Sequence, residues 1–287
     1  MQILSICSHK GGTGKTTTAI NLSSALGLTG HKTLVIDMDP QGFLTSMLGL
    51  PQPQKEGSCI MLFEQGITLH DIKKTKVGSI DVLPSSSMMT SKMRHLNKAI
   101  DVFWVKEAIG DGGGYDNIVF DTAAAITVFS LNALVASDHV LIPVTPEYQP
   151  VMGAEQTVET VKVVGQKLNP KLGHPKLLLT QVDARRRTHQ RYREYLRQKY
   201  GKQVLPVEIR TCSSLANSYK GGATVFDIDL NSRGAQDYAR LTDSLLPYLA
   251  QNKTATMAPE AVAQSAPAPP PEEPDYIIKN LARHTSS

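Results

Sequence analysis

One stretch limits what this chain can fold into more than any other: Ser8-His9-Lys10-Gly11-Gly12-Thr13-Gly14-Lys15-Thr16-Thr17-Thr18. An apolar run, Ile3 to Cys7, leads in with strand character. Thr16 to Leu28 leads out, with Ala19, Ile20, Leu22, Ala25 and Leu26 at helical spacing. Strand, glycine-rich loop, Gly-Lys-Thr and helix, in that order, is the context in which a phosphate-binding loop forms. The glycines let the backbone curl so that several N–H groups converge on one anion, and the helix N-terminus adds its positive end. The pattern assigns Gly11, Gly12, Thr13, Gly14, Lys15, Thr16 and Thr17 to the polyphosphate of a nucleotide. Lys15 would neutralise the β- and γ-phosphates, and the Thr16 hydroxyl would ligate Mg2+. Lys10, ahead of the first glycine, gives the loop a second lysine.

The rest of the chain reads as a frame for that loop. Thr33 to Asp37 is a short apolar run ending in a carboxylate, as a buried parallel strand would be. Asp37-Met38-Asp39-Pro40-Gln41-Gly42 follows at the strand's C-terminal end, where α/β sheets place ligands. Pro40 stops the strand, and a short helix is expected from Phe43 to Leu48. Pro51, Pro53 and Gly57 mark a loop, Cys59 to Glu64 a helical turn or two, and Ser79 to Leu83 a strand before Pro84-Ser85-Ser86-Ser87. Met88, Met89 and Met93 read as core-facing helix positions. Asn97 to Ile109 has helical spacing, offering Ile100, Phe103, Trp104 and Ala108 for packing, and ends in the breaker Gly110 to Gly114. Tyr115 to Asp121 is a further strand whose final aspartate is placed to hold the metal shell of a bound nucleotide. Strands at Asp138 to Val144 and Lys176 to Gln181, and a long helix from Gly153 to Leu168, complete the pattern. Apolar parallel strands alternating with helices predict an α/β fold, a doubly wound and mainly parallel sheet flanked by helices.

Residues 183 to 210 are the most basic part of the chain, with nine Lys or Arg against three acids and with Tyr192, Tyr195 and Tyr200 interleaved. Their rough period predicts a helix with one cationic face. Such a face suits a phosphate backbone better than base edges. It is equally a solvated helix surface with pairs such as Arg191–Tyr195 and Glu194–Gln198.

Taken together, the motifs resemble the ParA/MinD family of ATPases. Lys10 to Thr16, KGGTGKT, resembles the deviant Walker A loop of that family. Asp37 to Gly42, DMDPQG, is similar to the DxDPQG of ParA proteins and unlike the corresponding segment of MinD. Tyr115 to Thr122 resembles YDxIxxDT, but the two prolines that follow in the family are Ala123 and Ala124 here. Ser130 to Leu134, Pro146-Glu147-Tyr148, Ile209 to Thr211, Leu215-Ala216 and Ser232 to Ala235 continue the pattern, so the resemblance spans about residues 1 to 250.

The resemblance implies a P-loop ATPase of the deviant Walker A type that uses ATP and Mg2+. Lys10 would reach across a homodimer interface to the partner's nucleotide. Lys10, Lys15 and Asp39 would be catalytic, with Asp39 positioning the attacking water, and Asp37 would support the metal environment beside Thr16 and Asp121. The basic region would bind nonspecific double-stranded DNA, with Arg185, Arg186, Arg187, Arg191 and Arg193 as candidate contacts. Arg185 falls near one position where the family carries a DNA-contacting arginine; the other, just before Leu215, is Ser214 here. ATP binding should survive the loss of the two prolines, while coupling of ATP state to DNA should change. The implied function is an ATP-driven dimer switch, slow unaided, that segregates chromosome or plasmid DNA with a ParB-like partner. Two alternatives share the core: positioning of a protein cargo on the nucleoid, or MinD-like action on a membrane.

Composition bounds rather than selects. At 287 residues, with a formal charge of +4 and a pI near 8.8, the chain can bury a sizeable core and tolerate an anionic partner. No run approaches a membrane span, no signal-peptide pattern opens the chain, and Cys7, Cys59 and Cys212 lack CxxC spacing. A cytoplasmic, nucleoid-associated protein is expected, and the cysteines argue against the cluster-bearing nitrogenase iron proteins that share the deviant loop. The ATPase domain is expected over 1–250. Residues 251–287 turn Pro/Ala-rich and predict a flexible tail. In Asp275 to Arg283, Ile277, Ile278 and Leu281 share one face, short and weakly hydrophobic for a membrane anchor. That segment is left as partner-docking or disordered, with membrane binding not expected.

Overall fold

The structure, a computed structural model, describes residues 1–219 and 222–251. The expected tail beyond Gln251, with the segment Asp275 to Arg283, lies outside the described residues. β1 (Gln2–Ile6) runs through the glycine-rich loop into α1 (Lys15–Leu28), followed by β2 (Thr33–Asp37) and α2 (Phe43–Met47). Short 3-10 turns at Cys59–Phe63 and Leu69–Asp71 lead to β3 (Thr75–Val77), β4 (Ile80–Leu83), α3 (Met89–Met93) and α4 (Trp104–Ile109). Strands and helices then alternate: β5 (Asn117–Asp121), α5 (Val128–Ala136), β6 (His139–Val144), α6 (Tyr148–Lys167), β7 (Lys176–Val182), α7 (Arg187–Tyr200) and β8 (Val204–Arg210). α8 (Ser213–Ser218), α9 (Val225–Ile228) and α10 (Arg233–Gln251) close the described chain.

The eight strands form one sheet in the order β3-β4-β2-β5-β1-β6-β7-β8, parallel except for the β3–β4 pair. From β1 the chain runs out through β2 to β4 and β3, returns to place β5 between β2 and β1, and then crosses to β6, β7 and β8, so the strand order reverses at β1. In such sheets ligands bind outside the C-terminal strand ends at the switch point, which is where the glycine-rich loop emerges.

Alternation along the strands sends side chains to opposite faces. Leu4, Ile6, Val35, Val119 and Leu141 meet α1 and α10 through Ile20, Leu22, Tyr238, Leu241 and Leu245. Ile3, Leu34, Ile36, Ile118 and Phe120 meet Phe63, Val105 and Phe129 on the other face. Each such buried side chain contributes about 1.5–3 kcal/mol before the cost of ordering it. α1 packs against the sheet and against α10, so most of its polar residues are buried too. The Thr18 and Tyr238 hydroxyls pair at 3.1 Å, and Asn21 Oδ1 accepts from Val225 N–H at 2.9 Å.

Several expectations change. Of the three methionines only Met89 is core; Met88 and Met93 are exposed. Asn97 to Ile109 is not one helix but a 3-10 turn, Ala99–Val102, followed by α4, and Ile100 is exposed. Asn132 of α5 causes the break. Its Nδ2 donates to Asp101 O at 2.8 Å and its Oδ1 accepts from Val105 N–H at 3.1 Å, so the backbone bonds to a neighbour instead of continuing a helical ladder. The basic stretch is likewise two elements: α7 stops at Gly201, whose φ is 50°, and β8 follows as an edge strand. Among the described residues no helix is long and apolar enough to cross a membrane.

Candidate functional site

The loop between β1 and α1 curls as its glycines require. Gly12 and Gly14 hold φ of 77° and 82°, values that L side chains rarely adopt. Gly14 directly precedes α1, whose first turn carries no acid. The helix therefore opens on unneutralised N–H groups, an anion-binding end. β7 braces the loop from outside. Thr180 Oγ1 donates to Thr13 O at 2.8 Å, and Gln181 Nε2 donates to Gly12 O at 2.5 Å. Gln181 holds φ of 53°, so the brace is itself strained. Lys15 is buried, and its Nζ donates to Lys10 O at 3.3 Å. Burial lowers its pKa, while Asp121 and Asp39 pull it back up.

Asp37 and Asp121 are register partners at the ends of β2 and β5. Both are buried, but they are held differently. Asp37 Oδ2 accepts from the N–H and hydroxyl of Thr45 at 2.9 and 2.7 Å, and its Oδ1 from Asp39 N–H at 3.1 Å. Burial still raises its pKa to about 6. Oδ2 is thus fully engaged by the protein, while Oδ1 meets a single donor. Both oxygens of Asp121 are buried without a hydrogen-bond partner. Burial pushes its pKa well above the ordinary carboxylate range, and Asp37 pushes the same way. The Thr16 hydroxyl lies close enough to favour the charge without making a hydrogen bond. A buried acid without donors fits a cation better than it fits water or protein. Among the described residues no group of three or more His, Cys, Asp or Glu could hold a metal. The side chains here that could hold a cation are Thr16 and Asp121, with a bound phosphate completing its shell.

Asp39 is half-buried beside this pair, and its Oδ1 caps its own turn by accepting from Gln41 N–H at 2.9 Å. Ser85 fixes that turn from β4's end, donating from Oγ to Asp39 O at 2.7 Å. Thr122 ties the end of β5 to Ile6 O at 2.9 Å. Ala123 to Ala125 then bridge to α5, where Ser130 Oγ donates to Ala125 O at 3.0 Å.

Lys10 is exposed. Its Nζ donates to Gln149 Oε1 at 2.9 Å, on the rim of a cleft of about 590 Å³ that also includes Gly11, Gly12, Glu147, Gln181 and Arg186. Of the candidate DNA residues, Arg186 lines this cleft and Arg193 lines a second one, beside Glu208. Arg185 is held by Asp183 through Nε and Nη2 at 3.0 and 2.9 Å, and Arg186 by Glu147 at 2.6 Å. Arg193 and Arg197 share Glu208 at 2.9 and 2.6 Å. Arg187 and Arg191 are exposed. Tyr192 and Tyr195, interleaved with these basic residues in the sequence, are core residues, and the Tyr195 hydroxyl donates to Glu155 at 2.7 Å.

Sequence reasoning passed over Thr45, Ser85, Gln149 and Gln181. The spacing of Thr45, eight residues past Asp37, carries no signal by itself. The Pro84-Ser85 pair and Pro146-Glu147-Tyr148 were visible as pattern, but not as supports of Asp39 and Lys10.

A family model described as an AAA domain matches residues 1–174. The chain is 33% identical over 250 residues to the sporulation initiation inhibitor protein Soj of Bacillus subtilis, covering 84% of this chain and 96% of that one. Among solved structures, it is similar to a plasmid partition protein from Borrelia burgdorferi bound to AMPPNP, with 26% identity, a TM-score of 0.72, and 86% and 99% of the two chains covered. It is also similar to cobyrinic acid a,c-diamide synthase from Mycobacterium smegmatis with bound ATP analogue and magnesium, with 25% identity, a TM-score of 0.73, and 90% and 100% covered. With its two-lysine loop, its DMDPQG turn and the buried aspartate that ends β5, the chain belongs to this AAA-domain family as a ParA/Soj-type partition ATPase.

Proposed function

We propose that this chain is an ATP- and Mg2+-dependent dimer switch that binds nonspecific DNA in its ATP state and segregates DNA or a cargo with a ParB-like partner. The observation that carries the reading is the pairing of a positive anion cradle with Asp121, buried and without a hydrogen-bond donor on either oxygen. MgATP supplies what each lacks. The nucleotide-bound relatives support the choice of ligand.

In this reading Gly11, Gly12, Thr13, Gly14 and Thr17 cradle the phosphates, and Lys15 leaves Lys10 O to pair with them. Thr16 and Asp121 hold the metal shell, and Asp37 adds charge from behind. The metal, when bound, neutralises charge that develops on the phosphates. Asp39 turns from its own backbone cap to position the attacking water. Lys10, already exposed, leaves Gln149 for the partner subunit's nucleotide. Catalysis here is mostly positioning and charge, with Asp37 and Asp121 serving the metal environment and Asp39 the water. The activity belongs to residues 1–250. Arg185, Arg186, Arg187, Arg191 and Arg193 face DNA phosphates from the nucleoid-bound dimer.

Binding to random-sequence duplex, measured without nucleotide and with ADP, ATP or a slowly hydrolysed ATP analogue, tests the reading. Binding confined to the ATP states and weakening steeply with salt supports it. Binding indifferent to nucleotide, or none in any state, contradicts it.

A further inference from the structure

The N-terminal half of α6 touches two regions that sequence keeps far apart. On one side it seats the entry of the glycine-rich loop. Gln149 Oε1 accepts from Lys10 Nζ at 2.9 Å, and Thr157 Oγ1 accepts from His9 N–H at 3.0 Å. Gly153 allows the close approach: a Cβ there would lie 3.0 Å from Lys10 Cβ and 3.4 Å from its backbone nitrogen. On the other side Glu147, the residue before α6, reaches the start of the basic arm. Its Oε1 accepts from Arg186 Nη1 at 2.6 Å and lies 3.3 Å from Nε2 of the buried His189. His189 Nδ1 accepts from Asp183 N–H at 3.1 Å, and Asp183 in turn grips Arg185.

Glu147 stands at the N-cap of α6, yet its side chain caps no N–H of that helix. Its carboxylate is spent on the basic arm instead. Burial opposes its charge, but His189 and Arg186 outweigh that and hold its pKa below the ordinary value. Two residues apart, then, the same turn holds the loop's exposed lysine and an arginine of the cationic surface.

We propose that Glu147 and Gln149 form a clasp that keeps Arg186 from DNA while Lys10 rests on Gln149, and that opens when Lys10 moves to a partner's nucleotide. The clasp rests on the reading that the ATP-bound dimer binds DNA. Loss of the Lys10 contact frees the turn that carries Glu147. A polyphosphate backbone then competes with Glu147 for the Arg186 guanidinium. The Arg186 and Glu147 side chains are 52% and 38% exposed, so the pair is a bias and not a lock. An exposed pair of this kind biases an equilibrium by about two- to fivefold.

The test is a double-mutant cycle on the full chain, read as fluorescence anisotropy of a labelled random-sequence duplex at low salt. Each protein is measured without nucleotide and with a slowly hydrolysed ATP analogue. Glu147→Gln and Gln149→Ala should each raise nucleotide-free affinity by about two- to fivefold, with little change in the analogue-bound state. The rise from Glu147→Gln should vanish when Arg186→Ala is also present. A rise that persists in that background is a general charge effect and overturns the clasp. No change in Gln149→Ala removes the link to Lys10 and also overturns it. If wild type binds with the analogue through Arg186 but Glu147→Gln changes nothing, the clasp alone fails. If wild type does not bind with the analogue, or binds without regard to Arg186, the DNA reading fails and takes the clasp with it.

Discussion

The loop end of the sheet and the basic arm both concentrate charge, and they hold it in opposite ways. At the loop, Asp121 is buried without a hydrogen bond, Asp37 is buried with three, and Lys15 is buried against a backbone carbonyl. Along 183–210 the arginines lie at or near the surface, and Arg185, Arg186, Arg193 and Arg197 are each met by an acid. A buried charge without a partner costs several kcal/mol, whereas an exposed pair changes stability by about 1 kcal/mol or less. The first arrangement is one that a bound ligand of opposite charge would relieve. The second is what an ordinary soluble surface also shows. Burial without a partner is therefore the sharper pointer to chemistry, and charge density the blunter one.

That contrast can be broken most severely at Lys15. Lys15→Ala should lower nucleotide affinity by about 100-fold or more, read by calorimetric titration with an ATP analogue. Retained affinity would mean that the cradle's backbone N–H groups act without it. Next is the support of Asp37. Thr45→Val removes the hydroxyl that donates to Asp37 Oδ2 and accepts from Ser85 N–H. It should cost about 1–3 kcal/mol in denaturant unfolding, because it leaves buried groups unsatisfied. A neutral outcome would show that the buried Asp37 carboxyl does not depend on this bond.

Asp121→Asn should do the reverse and stabilise the nucleotide-free protein by about 1–2 kcal/mol, while abolishing stabilisation by MgATP. The sign follows from the direction of the shifts. A carboxyl whose folded pKa exceeds its unfolded value binds more protons in the fold, so its contribution to stability falls as pH rises. For Asp37 the fall runs from 3.8 to about 6, and Asp121 extends it upward. The gain from Asp121→Asn should thus be largest near neutral pH and disappear below the unfolded pKa, as thermal melts across pH would record. A variant less stable than wild type at neutral pH would contradict the strain assigned to this carboxylate. The smallest effect concerns Arg185, an exposed residue. Arg185→Ala should lower DNA affinity mildly and flatten the logarithmic salt slope by about one unit.

How much of this was legible in the sequence follows the same division. The loop, the DMDPQG turn and the Asp121 strand are each a continuous stretch of sequence, and the spacing within each fixes both local structure and placement at the strand ends. The parallel sheet follows from apolar runs ending in those residues. β3 and β8 were not legible, because Thr75 to Val77 is short and polar and β8 sits within a run read by charge alone. The break before α4 depends on Asn132, which reaches Asp101 and Val105 from another helix. The supports of the site were hidden for a similar reason. Gln149 meets Lys10 across 139 residues and Gln181 meets Gly12 across 169, distances at which no local pattern survives.

The central claim is that the two lysines of one loop divide the work, Lys15 for its own nucleotide and Lys10 for the partner's. Sedimentation of wild type and Lys10→Ala with Mg2+ and a slowly hydrolysed ATP analogue tests it most directly, with nucleotide occupancy measured on the same samples. The account predicts that both bind nucleotide, that wild type sediments as a dimer, and that Lys10→Ala stays a monomer. A Lys10→Ala protein that dimerises as wild type does, or that no longer binds nucleotide, would contradict it.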